Sequence, residues 1–222
     1  MKKTDKKVCY IAGAGELYAP LSFVPSEVDY VIAADGGLKY LEKAGIRADL
    51  LIGDMDSVDM SGGEMQPVLT HPPSAVKKLP VKKDETDMYA AIQHGLGMGY
   101  KTFVIYGGTG GVLRHTIANI QCLKMLAKNG CRGYLIGKSE VLTAIHNDSI
   151  EFQCAQTGYL SVFSLGEKTV GITLKDVKFP LNSYTMSDIY PIGVSNEFIG
   201  KPATVSVKEG TLLLVYDGNR ML

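Results

Sequence analysis

Hydrophobic and polar positions along the chain fall into two textures. Up to residue 146, short unbroken apolar runs alternate with stretches whose apolar positions recur every three or four residues. The runs at 8–12, 29–34, 49–52, 102–106, 133–136 and 141–145 predict buried strands, and 75–81 predicts one more. Leu38, Leu41 and Ala44 mark a short helix stopped by Gly45. Met88, Ala91, Ile92 and Leu96 mark a second, ending near Gly97–Gly99. A third is predicted over 114–128, with Ile117, Ile120, Leu123 and Leu126 or Ala127 on its buried side and Gly130 as its stop. Strands alternating with helices predict an α/β domain with a doubly wound, mostly parallel sheet. Residues 58–75, with three prolines, are expected to be irregular.

After His146 the period shortens and no amphipathic helix pattern remains. Runs at 150–154, 159–165, 170–174, 203–207 and 211–216 predict strands, with Glu209-Gly210 as a tight turn between the last two. Two domains are expected: 1–146, α/β, and 147–222, a small all-β sandwich-like domain.

Candidate chemistry collects where the predicted strands end. Leu51-Ile52-Gly53-Asp54-Met55-Asp56-Ser57 closes an apolar run with two carboxylates at i and i+2, which share one side of an extended segment. The stretch is either a surface turn or a Mg2+ site, since Mg2+ takes one or two carboxylates beside phosphate oxygens. Asp84-Glu85-Thr86-Asp87 opens the second helix, with Asp84 and Asp87 either facing one site or serving as N-cap and first-turn acid. Asp35, in Ala34-Asp35-Gly36-Gly37, is a pocket acid or a helix cap. Gly107-Gly108-Thr109-Gly110-Gly111, ahead of the third helix, lets backbone N–H groups approach an anion. Gly13-Ala14-Gly15 reads first as a plain turn and second as a phosphate-facing loop. In a doubly wound sheet all of these gather beyond the carboxyl ends of the strands.

Composition narrows the classes. A formal net charge of zero removes the basic excess expected of a nucleic-acid binder. The apolar start at Val8 is too short for a signal sequence, and no run reaches membrane-spanning length. Cys9, Cys122, Cys131 and Cys154 lack metal-ligand spacing and mostly sit in apolar runs, so buried free thiols in a reducing cytoplasm are expected.

The order and spacing of these motifs, with Gly171-Ile172-Thr173-Leu174-Lys175, Pro180-Leu181 and Val194-Ser195-Asn196-Glu197-Phe198 in the β half, resemble the thiamin pyrophosphokinase (thiamine diphosphokinase) family over essentially the whole chain. The resemblance implies transfer of a diphosphoryl group from ATP to the hydroxyl of thiamin, giving thiamin diphosphate and AMP. It implies a cytoplasmic homodimer with thiamin bound between subunits, ATP and Mg2+ on the α/β domain, and no nucleic-acid or membrane partner. By the same resemblance Asp54, Asp56, Asp84 and Asp87 form the catalytic metal cluster. Asp35, Gly36, Gly37, Thr109, Gly110, Gly111 and Arg114 fall on the ATP side, and Ser195 and Asn196 on the thiamin side. Tyr184, Tyr190 and Phe198 are candidates to stack on the thiazolium or to sit in the core. One departure stands out. Where the family shows Gly-Arg-x-Asp-His, this chain has Gly111-Val112-Leu113-Arg114-His115. That leaves a catalytically weakened thiamin- or nucleotide-binding relative as the alternative.

Overall fold

A computed structural model of the chain describes residues 7–18, 21, 23–54, 70–80 and 84–218. They form two units, Met1–Asn119 with Leu135–Gly137, and Ile120–Tyr134 with Lys138–Leu222. In the first, strands β1 (Val8–Ala12), β2 (Tyr30–Ala34), β3 (Leu50–Gly53), β4 (Ala75–Lys78) and β5 (Thr102–Tyr106) are all parallel, in the order β5-β1-β2-β3-β4. β2, β3 and β5 are buried along nearly their whole length, which their unbroken apolar sequences require of central parallel strands. β4 is exposed throughout and ends in two lysines, which suit an edge. It stops at Lys78, short of the predicted 81.

Helix α1 (Leu38–Ala44) buries Leu38 and Leu41 and ends on Gly45 at φ 68°, as its sequence predicts. Helix α2 (Asp87–Gly97) buries Met88, Ala91, Ile92 and Gly95. Helix α3 (Leu113–Lys128) buries Leu123, Leu126 and Ala127. Ile117, expected on its buried side, is instead 52% exposed. The helical period identified the stripe but not how far along the helix its cover extends.

The chain steps from β1 through β4 in one direction, then returns to the far side of β1 to lay down β5. This reversal places a topological switch between β1 and β5. The backbones stay tied past the strand ends: Gly13 N–H donates to the Tyr106 carbonyl at 2.8 Å, and Gly15 N–H to that of Gly107 at 2.9 Å. Gly37, closing the single 3-10 turn Asp35–Gly37, lies so near β1 that a Cβ there would stand 1.9 Å from the Ala12 carbonyl oxygen.

β6 (Arg132–Ile136) contributes residues to both units. The second unit holds β7 (Glu140–His146), β8 (Ser149–Phe152), β9 (Tyr159–Ser164), β10 (Thr169–Lys175), β11 (Leu181–Met186), β12 (Asn196–Glu197), β13 (Ala203–Ser206) and β14 (Thr211–Asp217). They pair antiparallel in two sets, β12-β9-β14-β7 and β11-β10-β13-β8. Inward residues of both sets, among them Phe152, Leu160, Val162, Ile172, Leu174, Val205, Leu212 and Leu214, make one core.

Three local expectations are corrected here. The last two strands are not a hairpin: β13 pairs with β8 and β10, while β14 pairs with β7 and β9. Glu209-Gly210 instead carries the chain from one sheet to the other, with Gly210 N–H held by Asn147 Oδ1 at 2.8 Å. Cys154 is exposed because β8 ends at Phe152, whereas the other three thiols are buried. β11 and β12 were not foreseen; the first is an almost wholly exposed edge and the second is two residues long.

Substitution at two glycines should separate these constraints. Gly37→Ala forces a backbone clash and is expected to lower Tm by at least ~5 °C, since overpacking costs about 1–3 kcal/mol or more. Gly97→Ala, with nothing within 4 Å of the added methyl group, should leave Tm unchanged or slightly raised. Thermal unfolding of both variants checks this.

Candidate active site

The segments that follow β1, β2 and β5 converge, together with the first turn of α2, on one cavity of about 720 Å³ in the first unit. Its walls are Gly13–Glu16 after β1, Asp35 after β2, Lys39 and Tyr40 of α1, Glu85–Met88 at the start of α2, and the glycine loop after β5 with Val112, His115 and Asn119. Both glycine-rich loops line it, so Gly13-Ala14-Gly15 is more than a turn.

Local chemistry explains how these residues are presented. Asp35 takes a left-handed backbone, φ 50°, at the end of β2 and opens the 3-10 turn, whose N-cap position is Ala34, as that of α1 is Gly37. The cap of α2 is Thr86, whose Oγ1 accepts from Tyr89 N–H at 3.1 Å. Asp84 is therefore not the cap, and Asp87 is the first helical residue, where the helix dipole favours a carboxylate. Gly107, Gly110 and Gly111 all have positive φ, at 62°, 78° and 59°. Such successive turns leave N–H groups facing one concave space. Buried Asn119 holds that loop from α3, its Nδ2 donating to the Gly108 carbonyl at 2.7 Å. Tyr40 hydroxyl holds the other loop, donating to the Gly15 carbonyl at 2.7 Å. Tyr18 lies across Gly110, where a Cβ would meet its hydroxyl at 1.9 Å. A hydrogen bond to the Glu16 carboxylate raises the Tyr18 pKa above its ordinary value.

Of the residues singled out in the sequence, Asp35, Asp87, Gly110 and Gly111 line the cavity. Gly36 and Gly37 shape the turn beside it, and Asp54 follows β3 next to them, with a Cβ on Gly53 reaching the Asp35 Cα at 3.1 Å. Asp84 and Arg114 are exposed and stand outside the lining. Asp56 lies outside the described residues. Thr109 is buried in the glycine loop, and its Oγ1 has no hydrogen-bond partner among the described residues. Lys39, Tyr40, Glu16 and Asn119 carried no motif of their own. For Lys39 and Tyr40 the one available signal was their place just after Asp35-Gly36-Gly37.

No group of three or more His, Cys, Asp or Glu side chains among the described residues is arranged to hold a metal by itself. Asp35 and Asp87 nevertheless bring two hard oxygen donors to one cavity. That fits Mg2+, which completes its shell with water and phosphate oxygens.

In the second unit, Ser195 has φ 60° and its N–H donates to Ser161 Oγ at 3.0 Å. Asn196 is buried, and its side chain is mostly engaged. Oδ1 accepts from Phe179 and Glu197 N–H, both at 2.9 Å, and Nδ2 donates to the Phe179 carbonyl at 2.7 Å. Phe198 is a core residue packed edge-on to Phe152, with centroids 5.0 Å apart. Tyr184 and Tyr190 are exposed at 37% and 64%.

Comparison with known proteins decides what this architecture belongs to. Residues 23–135 match the thiamin pyrophosphokinase catalytic domain, and residues 146–212 match the thiamin pyrophosphokinase vitamin B1 binding domain. The chain belongs to the thiamin pyrophosphokinase family. It is 27% identical over 203 residues to thiamine pyrophosphokinase of Bacillus subtilis strain 168, covering 88% of this chain and 94% of that one. The crystal structure of the thiamine pyrophosphokinase from Bacillus subtilis superposes with a TM-score of 0.81 at 25% identity, over 96% of this chain and all of that one. That from Geobacillus thermodenitrificans gives 0.80 at 26% identity, over 95% and 97%. The yeast enzyme, at 14% identity and a TM-score of 0.72, shares the fold over 98% of this chain and 88% of its own. As a member of this family the chain is a thiamine diphosphokinase, and nothing in these matches favours the catalytically weakened alternative.

Asn119→Ala should leave the Gly108 carbonyl unsatisfied and free the glycine loop. An unsatisfied buried group costs about 1–3 kcal/mol, so Tm should fall by roughly 3–8 °C, with a raised KM for ATP. Unfolding and steady-state kinetics on one preparation test both effects.

Proposed function

We propose that this cavity holds the polyphosphate of ATP with Mg2+, and that it is where the diphosphoryl group is transferred to thiamin. The observation that carries the reading is the convergence of Asp35, Asp87 and both glycine loops at the switch between β1 and β5. Phosphoryl transfer is chiefly positioning and charge neutralisation. The N–H groups of the 107–111 loop, at the positive end of α3, bind phosphate oxygens. The buried Thr109 hydroxyl, which has no hydrogen-bond partner among the described residues, supports that role. Asp35, Asp54 and Asp87 would hold the metal; Asp84 and Asp56 are assigned to the same cluster on the family resemblance alone. When bound, Mg2+ neutralises charge on the phosphate oxygens. In the reaction the thiamin hydroxyl oxygen bonds to the β-phosphorus of ATP, the bond from that phosphorus to the oxygen bridging it to the α-phosphorus breaks, AMP leaves with that oxygen and the hydroxyl proton is released.

The functional boundary we assign is 1–146 for ATP and Mg2+ and 147–222 for thiamin and dimerisation. The ends of the two family matches support it. Ser195 sits on the thiamin side through its strained backbone. Asn196 acts there by clamping Phe179 rather than with its full hydrogen-bonding capacity. Ile189, Tyr190, Val194 and Phe179 are 88%, 64%, 52% and 58% exposed, an apolar surface suited to a second copy of the chain. The setting we assign is the cytoplasm. Among the described residues no helix is long and apolar enough to cross a membrane.

Incubation with thiamin, ATP and Mg2+ should yield AMP and thiamin diphosphate in equal amounts, and chelation with EDTA should stop both. Asp87→Asn should lower kcat by at least about a hundredfold, the scale for removing one electrostatic contact to the transition state, with Tm within ~2 °C of the parent. AMP without thiamin diphosphate, or near-normal turnover in the variant, would sink this assignment. Sedimentation should show a dimer, and the double change Ile189→Glu with Tyr190→Glu should give a monomer that no longer saturates with thiamin.

A further inference from the structure

The cavity lining carries four carboxylates, from Glu16, Asp35, Glu85 and Asp87, but among the described residues only one ammonium or guanidinium group, that of Lys39. We propose that Lys39 is the side chain that meets the polyphosphate of the nucleotide. This rests on the reading that ATP occupies the cavity, and it deepens that reading.

Lys39 is held in place from both sides. It lies two residues beyond Gly37, whose approach to the Ala12 carbonyl pins the start of α1 to the end of β1. Its neighbour Tyr40 ties the same turn to the Gly15 carbonyl at 2.7 Å. Its Nζ stands 4.8 Å from the Tyr40 ring centroid, a cation–π distance that keeps the ammonium near the cavity wall.

The electrostatics demand such a group. A triphosphate entering a space walled by four carboxylates is repelled unless cations offset both sets of charges. Glycine-loop N–H groups supply only partial charges. Val112 lines the cavity with an apolar side chain, and Arg114 stands exposed outside it. Among the described residues Lys39 therefore supplies, from α1, the full positive charge at the phosphates, and acts as a point-charge ligand of the kind lysine provides.

The test is calorimetric titration of the full chain with ATP and Mg2+, without thiamin, alongside steady-state kinetics. Lys39→Met should raise the Kd for ATP roughly ten- to a hundredfold, the range for losing one charge-assisted hydrogen bond. KM for ATP should rise in parallel, and KM for thiamin should move by less than about twofold. Lys39→Arg should recover most of the affinity. The wild-type affinity should also fall more steeply with added salt than that of Lys39→Met. Because Lys39 is exposed on a helix, its replacement should leave Tm within ~2 °C of the parent. An unchanged Kd for ATP in Lys39→Met, with wild-type binding intact, would overturn the role of Lys39 alone. Absence of ATP binding by the wild type would overturn the cavity assignment and this inference with it.

Discussion

Beyond the ends of β1 and β5 the two backbones run closer than any side chain allows. A Cβ on Gly107 would lie 2.4 Å from the Gly13 carbonyl oxygen, and one on Gly15 would lie 2.5 Å from that of Gly107. Two further hydrogen bonds lock the loops together. The cavity depends on this contact. The switch in strand order opens a crevice, and the glycines let both loops turn into it with donors exposed instead of side chains.

Around that junction the first unit sets like charges against each other. Asp35 stands in a left-handed conformation, and Asp87 occupies the first turn of α2 while Thr86 does the capping. Both residues stand in the wall of the cavity. Burying an anionic substrate beside them needs compensating charge. Among the described residues that line the cavity, Lys39 carries the one ammonium group, and Val112 offers only an apolar side chain.

The second unit solves a different problem. Its core is shared by two antiparallel sets of strands, and the chain passes repeatedly from one set to the other, at 147–148 and 207–210 among other places. Asn147 ties those two crossings together by accepting from Gly210 N–H, and elsewhere Asn196 clamps the backbone at Phe179. The outer surface near 179–199 keeps large apolar side chains in solvent, although the core beneath is already closed.

The order of elements was legible in the sequence because local physics dictates it. Apolar runs only four to six residues long and bounded by turn residues read as buried strands, and Gly45 ends α1 at the predicted place. The acids and glycines after those strands were legible as a cluster because a parallel sheet puts all strand carboxyl ends on one edge. Other features depend on contacts far apart in the chain. Lys39 and Tyr40 look like surface residues of a short helix until Gly15 and the cavity are placed beside them. Asp84 reads as a cap until Thr86 is seen doing that work. β13 and β14 read as a hairpin because a tight turn joins them, but the shared core draws them into different sheets. The sequence by itself determined most of the strands and helices, though not β11 and β12, and the chemistry that sits at their ends. Only the tertiary structure decided which of those side chains face one another, because burial and pairing are properties of segments brought together from across the chain.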